Sequence, residues 1–333
     1  MDTRRPAAIR VLFRNPRKGR FRPMNKAQYH ELLLAMREDP SAIVEFRKKY
    51  RNVYPFSDAV FKLLMQNNAP RLVVFLNTML GLEGDDRIKD FAFVPQEFPG
   101  TLDNKTAIFD IIGQNEKGEP ILVEVQQTSG PFFMDRLLYY TARIITNRLK
   151  KSAEYRLPRI YVLSVLTCEQ FAEPETYFHH VHFVKNGENF YPKLDFFFVE
   201  VEKFFKIDDK CPKEARERNP RAKMLRFFRN IIREEEIPEQ IFTEEFYKAL
   251  EQDLSLEQVE DELFLKEADR MHDIIYERES AFAEGEAKGK EIGLAEGEEI
   301  ARREMAKAML ADGVPVSRIA AYSGLSEDEI RAL

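Results

Sequence analysis

The sequence predicts a mixed α/β fold: a core that runs helix, three strands, long helix, strand, followed by a mainly helical C-terminal extension. Three patterns carry this reading. Residues 105–127 (KTAIFDIIGQNEKGEPILVEVQQ) place two β-branched and aromatic-rich runs on either side of a turn that holds Gly118, as a hairpin does. Residues 132–150 keep apolar positions at helical spacing and lead into RIYVLSVL at 159–166, an apolar run suited to a buried strand. From about Thr243 to the end the chain reads as helix throughout and is strongly acidic.

Taken in order, residues 27–50 read as two short amphipathic helices broken at Pro40. Ser57 is a fair N-cap for a helix DAVFKLLMQN, with Asp58 in its first turn. A second helix, APRLVVFLNTML, starts at Pro70 and stops at Gly81. The segment IKDFAFVPQEF reads as a strand to about Val94. In the hairpin, a three-residue loop of Glu116, Lys117 and a left-handed Gly118 pairs Asn115 with Glu119 and sets Asp110 opposite Glu124. The period of two adds Gln126 to that face with Ile108, Ile112 and Leu122, and leaves Phe109, Ile111, Val123 and Val125 opposite. Gly130-Pro131 breaks the chain before a helix whose apolar stripe is Leu137, Leu138, Ala142, Ile145 and Leu149. A helix between two strands of one sheet implies a right-handed crossover and a parallel pair. Two strands near 177–185 and 194–202 follow. A charged, Pro-bounded stretch then leads to a helix at about 221–234.

In the tail, Gly285, Gly289, Gly293 and Gly297 recur every four residues. Each costs about 1 kcal/mol of helix stability relative to Ala. The stripe fits a solvated, frayed helix, or one approached closely by a second helix, as in a homodimer through this segment. The final MLADGVPVSRIAAYSGLSEDEIRAL holds two short helices about Ser323-Gly324. Their spacing is that of a helix-turn-helix, but the second helix is short and acidic, so a structural or interaction hairpin is expected.

Charge is distributed unevenly over the 333 residues, whose net is −6. Residues 234–304 hold 24 acids and 8 bases, and residues 1–26 hold 9 bases and 1 acid. The part that contains the hairpin is therefore basic, as expected of a surface that neutralises phosphates. Two cysteines, Cys168 and Cys211, are too few for a disulfide scaffold and fit a reducing cytoplasm. No apolar run reaches the length of a membrane span. The division expected is a basic extension over 1–50, a catalytic domain over 51–235 and an acidic helical tail over 236–333.

Ionised carboxylates are rarely buried in a covered sheet unless they are paired or bind a metal. Directly opposed strand residues lie about 5 Å apart at Cβ, close enough to share a divalent cation. Asp110 and Glu124 are therefore either a cation site or an ordinary pair, with one acid wet at the sheet end and the other held by an Arg. His179, His180 and His182 suggest zinc only superficially, because no third ligand lies nearby; an edge-strand surface is expected.

The motifs FSDAVFK (56–62), Phe109-Asp110, VEVQ (123–126) and DRLLYY (135–140) together resemble the recombination-promoting nucleases of the Rpn type, a PD-(D/E)XK nuclease family of transposases. The resemblance covers roughly residues 54–205. It implies a restriction-endonuclease-like αβββαβ core that cleaves DNA with Mg²⁺, for which Mn²⁺ can substitute. Asp110 and Glu124 take the roles of metal ligands, and Gln126 stands where many relatives carry Lys. Gln can orient the attacking water but brings no positive charge. Asp58 matches the acidic position on the first helix, as a third ligand or a holder of bound water.

On the long helix, Arg136 and Arg143 share a face beside Tyr139 and Tyr140. These four, with Lys62, are the candidate DNA contacts; the alternative is solvated arginines with tyrosines packed on the sheet. RNA cleavage fits the sequence as well as DNA cleavage. The rival from another class is a module that keeps the fold after losing activity and binds nucleic acid or protein.

Overall fold

The computed structural model describes residues 24–66, 68–98, 107–130, 132–148, 156–216, 219–233, 249–250 and 252–333. The basic arm up to residue 23, Leu149 and the predicted helical start near Thr243 lie outside them. The chain divides into two compact units, Met1–Ala268 and Asp269–Leu333.

The first unit is a mixed α/β structure around a six-stranded sheet. Two helices, α1 (Lys26–Glu38) and α2 (Ile43–Lys49), flank a 3-10 turn that starts at Pro40, as predicted. Asn25 caps α1 by accepting from the Ala27 and Gln28 amides, and Gln28 returns the bond in a capping box. Next come α3 (Asp58–Gln66) and α4 (Ala69–Leu80). The Ser57 hydroxyl accepts the Val60 amide at 3.2 Å, the predicted N-cap. Gly81 closes α4 in the left-handed conformation.

The strands are β1 (Phe91–Phe93), β2 (Glu97–Phe98), β3 (Ala107–Ile108), β4 (Ile111–Asn115) and β5 (Pro120–Gln126). Then come α5 (Phe133–Arg148), β6 (Ile160–Leu166), β7 (Phe178–His182), the small hairpin β8 (Val184–Lys185) and β9 (Glu188–Asn189), and β10 (Leu194–Glu200). The large sheet has the order β1-β4-β5-β6-β10-β7. β5 and β6 are parallel, as the intervening helix requires, and β6 and β10 are also parallel. Central strands β5, β6 and β10 are buried almost without interruption, the pattern of a sheet covered on both faces. Gly113 lets β1 come close: a Cβ there would meet the Phe91 ring at 2.3 Å and the Ala92 carbonyl at 2.5 Å.

Several sequence expectations need correction. The first hairpin strand is not continuous, because Phe109 and Asp110 form a bend between β3 and β4, and β3 pairs with β2 in a separate two-stranded sheet. The bend also breaks the alternation, so Phe109 packs in one core with Ile112 and Leu122 instead of opposite them. The stripe that α5 buries is Phe133, Leu137, Thr141 and Ile144; Leu138 and Ala142 face outward. A helix missed in the sequence, α6 (Val201–Lys210), starts directly where β10 ends, ahead of α7 (Pro220–Arg233). The tail is not helical throughout. Residues 254–260 turn back on residues 51–53, where Val53 N donates to Leu254 O and Leu256 N to Arg51 O.

The 51-residue helix α8 (Asp261–Ala311) begins in the first unit. In the second unit its end packs with α9 (Val316–Ser323) and α10 (Glu327–Arg331) around Ala306, Ile319 and Ile330. The predicted hairpin about Ser323-Gly324 is present, with Gly324 left-handed and Ser326 and Glu329 closing a capping box. Among the described residues no helix is long and apolar enough to cross a membrane.

Candidate active site

The hairpin turn that sets the site forms as its sequence dictates. Gly118 adopts φ 74°, and the Asn115 amide donates to the Glu119 carbonyl at 3.1 Å. The ladder then runs Gln114 to Pro120, Gly113 to Ile121, Ile112 to Leu122 and Ile111 to Val123. Continued by one residue, that register brings Asp110 opposite Glu124. The ladder itself stops there, and side chains take over its bonds. Asp110 Oδ2 accepts the Val125 amide at 2.8 Å, and Glu124 Oε1 accepts the Asp110 amide at 3.4 Å. The freed Asp110 carbonyl accepts from Gln66 Nε2 at 2.9 Å and Gln96 Nε2 at 2.5 Å. Neither glutamine was evident in the sequence, because nothing local marks a residue that serves a backbone carbonyl 44 or 14 positions away.

Both carboxylates are buried, Asp110 at 7% and Glu124 at 6% exposure. Lys62 reaches across from α3 with Nζ 2.8 Å from Asp110 Oδ1 and 3.1 Å from Asp58 Oδ1. Asp58 thus joins the site through the lysine. Among the described residues no group of three or more His, Cys, Asp or Glu side chains comes together as a metal cluster. Glu124 has only the long bond from the Asp110 amide among the described residues. Its carboxyl is held well above the usual carboxylate range, first by burial and then by the Asp110 charge; the Asp110 amide, Arg136 and Lys62 offset this only in part.

Gln126 is fixed at both ends of its amide. Arg136 donates to its Oε1 at 2.5 Å, and its Nε2 donates to the Thr128 carbonyl at 2.5 Å. The guanidinium comes from the first turn of α5, where Arg136 is exposed. Tyr140, one turn on, is half-buried edge-on against Phe109 at 5.1 Å, and burial together with the Glu124 charge raises its phenol. Tyr139 packs partly into the core beside it, and Arg143 lies one turn further along. The structure therefore brings together Asp58, Lys62, Asp110, Glu124, Gln126, Arg136 and Tyr140. The tyrosines combine both readings offered by the sequence, since they pack toward the sheet while edging the site.

The histidines lie elsewhere, on the edge strand β7, as expected. His180 Nε2 meets Asp195 Oδ1 at 2.8 Å and His179 Nε2 meets Glu200 Oε2 at 3.1 Å.

A family model described as PD-(D/E)XK nuclease family transposase matches residues 55–281, about two thirds of the chain. No curated protein and no solved structure gives a significant match.

Proposed function

Because the chain belongs to the PD-(D/E)XK nuclease family transposases, we propose that the Asp110–Glu124 face is a phosphodiesterase centre. It makes the protein a Mg²⁺-dependent endonuclease that cuts DNA with low sequence specificity, in recombination or mobile-element biology. The observation that supports this best is the under-neutralised carboxylate pair. Glu124 is buried against a second acid with little to balance it, an arrangement that costs stability unless a cation completes it.

The donor set fits a hard cation. Two carboxylates suffice for Mg²⁺, which keeps its other positions for water and phosphate oxygens. Asp110 and Glu124 would hold it. Once bound, such an ion polarises a phosphate oxygen and makes water more acidic. The rest falls to this chain's own side chains. Gln126, its amide pinned by Arg136 and Thr128, would orient the attacking water. The positive charge that Gln126 lacks would come from two other elements, Arg136 on α5 and Lys62 on α3, which would meet a phosphate. Asp58 would keep Lys62 charged and aimed. Tyr139, Tyr140 and Arg143 would line the approach of the strand, and the basic arm would add sequence-independent attraction.

A plasmid-nicking assay with Mg²⁺, with EDTA and with Asp110→Ala tests the reading. Nicking by the parent alone, and only with the ion, is expected. A variant that nicks at the parent's rate, or a parent indifferent to EDTA, overturns it.

A further inference from the structure

Outside the carboxylate pair, one buried acid of the first unit bridges distant segments: Glu267, on the second turn of α8. It is 6% exposed and lies 143 residues beyond Glu124 in the chain. Its Oε2 accepts the Tyr29 hydroxyl at 2.5 Å and the Ser57 hydroxyl at 3.3 Å, and its Oε1 accepts Gln127 Nε2 at 3.3 Å. Backbone of Ala59 adds a further bond. Every one of these donors is neutral, and burial pushes the Glu267 carboxyl up. A buried acid with no counter-charge among the described residues is costly to keep for packing alone.

What Glu267 joins is informative. Ser57 caps α3 and immediately precedes Asp58; Lys62 is one turn further on. Gln127 immediately follows Gln126 at the end of β5. Strand alternation aims Gln126 at the site, while Gln127 bonds to the clasp. Gln127 is held at both side-chain polar atoms and at its carbonyl: His30 Nε2 meets its Oε1 at 3.2 Å, Glu267 takes its amide, and Lys26 Nζ donates to its carbonyl at 2.6 Å and to Thr167 O at 2.8 Å. Phe264, one turn before Glu267, is fully buried with its ring at 61° to Tyr29, which fixes the helix in place.

We propose that Glu267 is a positioning residue, clasping the segment that carries Asp58 and Lys62 to the segment that carries Gln126, so that the working nuclease unit extends to the start of α8 instead of ending near residue 235. The proposal rests on the nuclease reading above for its consequence, but the clasp has a signature of its own. Without Glu267 the Ser57 and Gln127 ends lose their common acceptor, and helix α3 and strand β5 are free to drift apart. Drift of this kind, about 1 Å, costs about a hundredfold in rate when the reacting groups must be held in line.

The test compares the full-length parent with Glu267→Ala, Glu267→Gln and Tyr29→Phe, the last removing one hydroxyl from the clasp and leaving the ring packing. Hydrogen exchange over residues 57–62 and 123–130 reads the clasp directly, and cleavage kinetics read its consequence. The expected result for Glu267→Ala is faster exchange in both segments and kcat lowered ten- to a hundredfold with KM held. Glu267→Gln, which keeps one acceptor, recovers most of both, and Tyr29→Phe falls between. Should Glu267→Ala fail to fold, Tyr29→Phe decides by the same two readouts. Unchanged exchange in either segment, or lowered stability with kcat intact, overturns the proposal. If the parent does not cleave at all, the nuclease reading has failed, and exchange alone then decides whether the clasp holds these segments.

Discussion

Two sets of buried acids lie at one sheet and are treated in opposite ways: Asp110 and Glu124 face each other, whereas Asp195 and Glu200 stand five residues apart on one strand. Asp195 and Glu200, on β10, are 1% and 0% exposed. Asp195 binds Arg159 Nε at 2.9 Å and His180 at 2.8 Å. Glu200 binds Lys203 Nζ at 2.6 Å, His179 at 3.1 Å and the amides of Gln170 and Phe171. Both oxygens of each acid are spoken for by fixed partners. Asp110 and Glu124 are nearly as deeply buried, yet Asp110 has Lys62 and the Val125 amide while Glu124, among the described residues, accepts only one long bond from the Asp110 amide. Burial alone therefore does not mark a functional acid. What separates the pairs is whether the protein itself completes the neutralisation, and the open pair is the one where an outside cation and substrate have something to add.

The comparison breaks most sharply under alanine substitution. Asp110→Ala or Glu124→Ala should lower nicking about a thousandfold, the upper end for losing one preorganised electrostatic contact, with the fold retained by circular dichroism. Glu200→Ala should do the reverse. It leaves the Lys203 ammonium buried, at 4% exposure, with only the Phe171 and Glu173 carbonyls, and should cost about 3–5 kcal/mol in urea unfolding. Equal loss of stability at both sites would erase the distinction.

Gln126 sharpens it next. Gln126→Leu removes the amide that Arg136 grips and should cost about ten- to a hundredfold in nicking rate. Gln126→Lys should stay active with altered metal dependence, because it restores a charge at the strand. Equal rates for Leu and Gln would remove position 126 from the chemistry.

A third prediction concerns acid. Because the Glu124 carboxyl lies higher in the folded protein than in the unfolded chain, the native state holds the extra proton between those two values. In EDTA, stability should therefore fall as pH rises from the ordinary carboxylate range through that raised value, and level off above it. Glu124→Gln should lose this decline and unfold at higher denaturant than the parent at neutral pH. An identical pH profile for the two proteins would show that Glu124 is not strained. The smallest effect expected is on DNA binding. Deleting residues 1–23, with their 8 bases, should weaken affinity several-fold at low salt and flatten its salt dependence, as titrations at two ionic strengths would report.

Much of this was legible in the chain because it is local. The hairpin register followed from Gly118 and strand alternation, and the Ser57 cap and the Pro40 and Gly81 breaks followed from backbone chemistry. What escaped was set by tertiary demands. The bend at Phe109–Asp110 is stabilised by Gln66 and Gln96, which local patterning does not connect to it. The stripe buried by α5 turned out to include Thr141, a polar residue satisfied by the Leu137 carbonyl at 2.8 Å, so apolar spacing was right at Leu137 and Ile145 and wrong at Leu138 and Ala142. Glu267 looked like one more acid in an acidic tail. Asp195 and Glu200 went unremarked in the sequence, and only the structure shows them buried and neutralised by Arg159, Lys203 and two histidines.

The central claim, that the open pair is completed by a divalent cation and the closed pair is not, is met most directly by Mn²⁺ binding followed by electron paramagnetic resonance. The parent, Glu124→Gln and His180→Ala are compared without DNA. The account predicts saturable binding by the parent, binding weakened at least about a hundredfold in Glu124→Gln, and parent-like binding in His180→Ala. Parent-like binding in Glu124→Gln, or binding lost with His180, would contradict it.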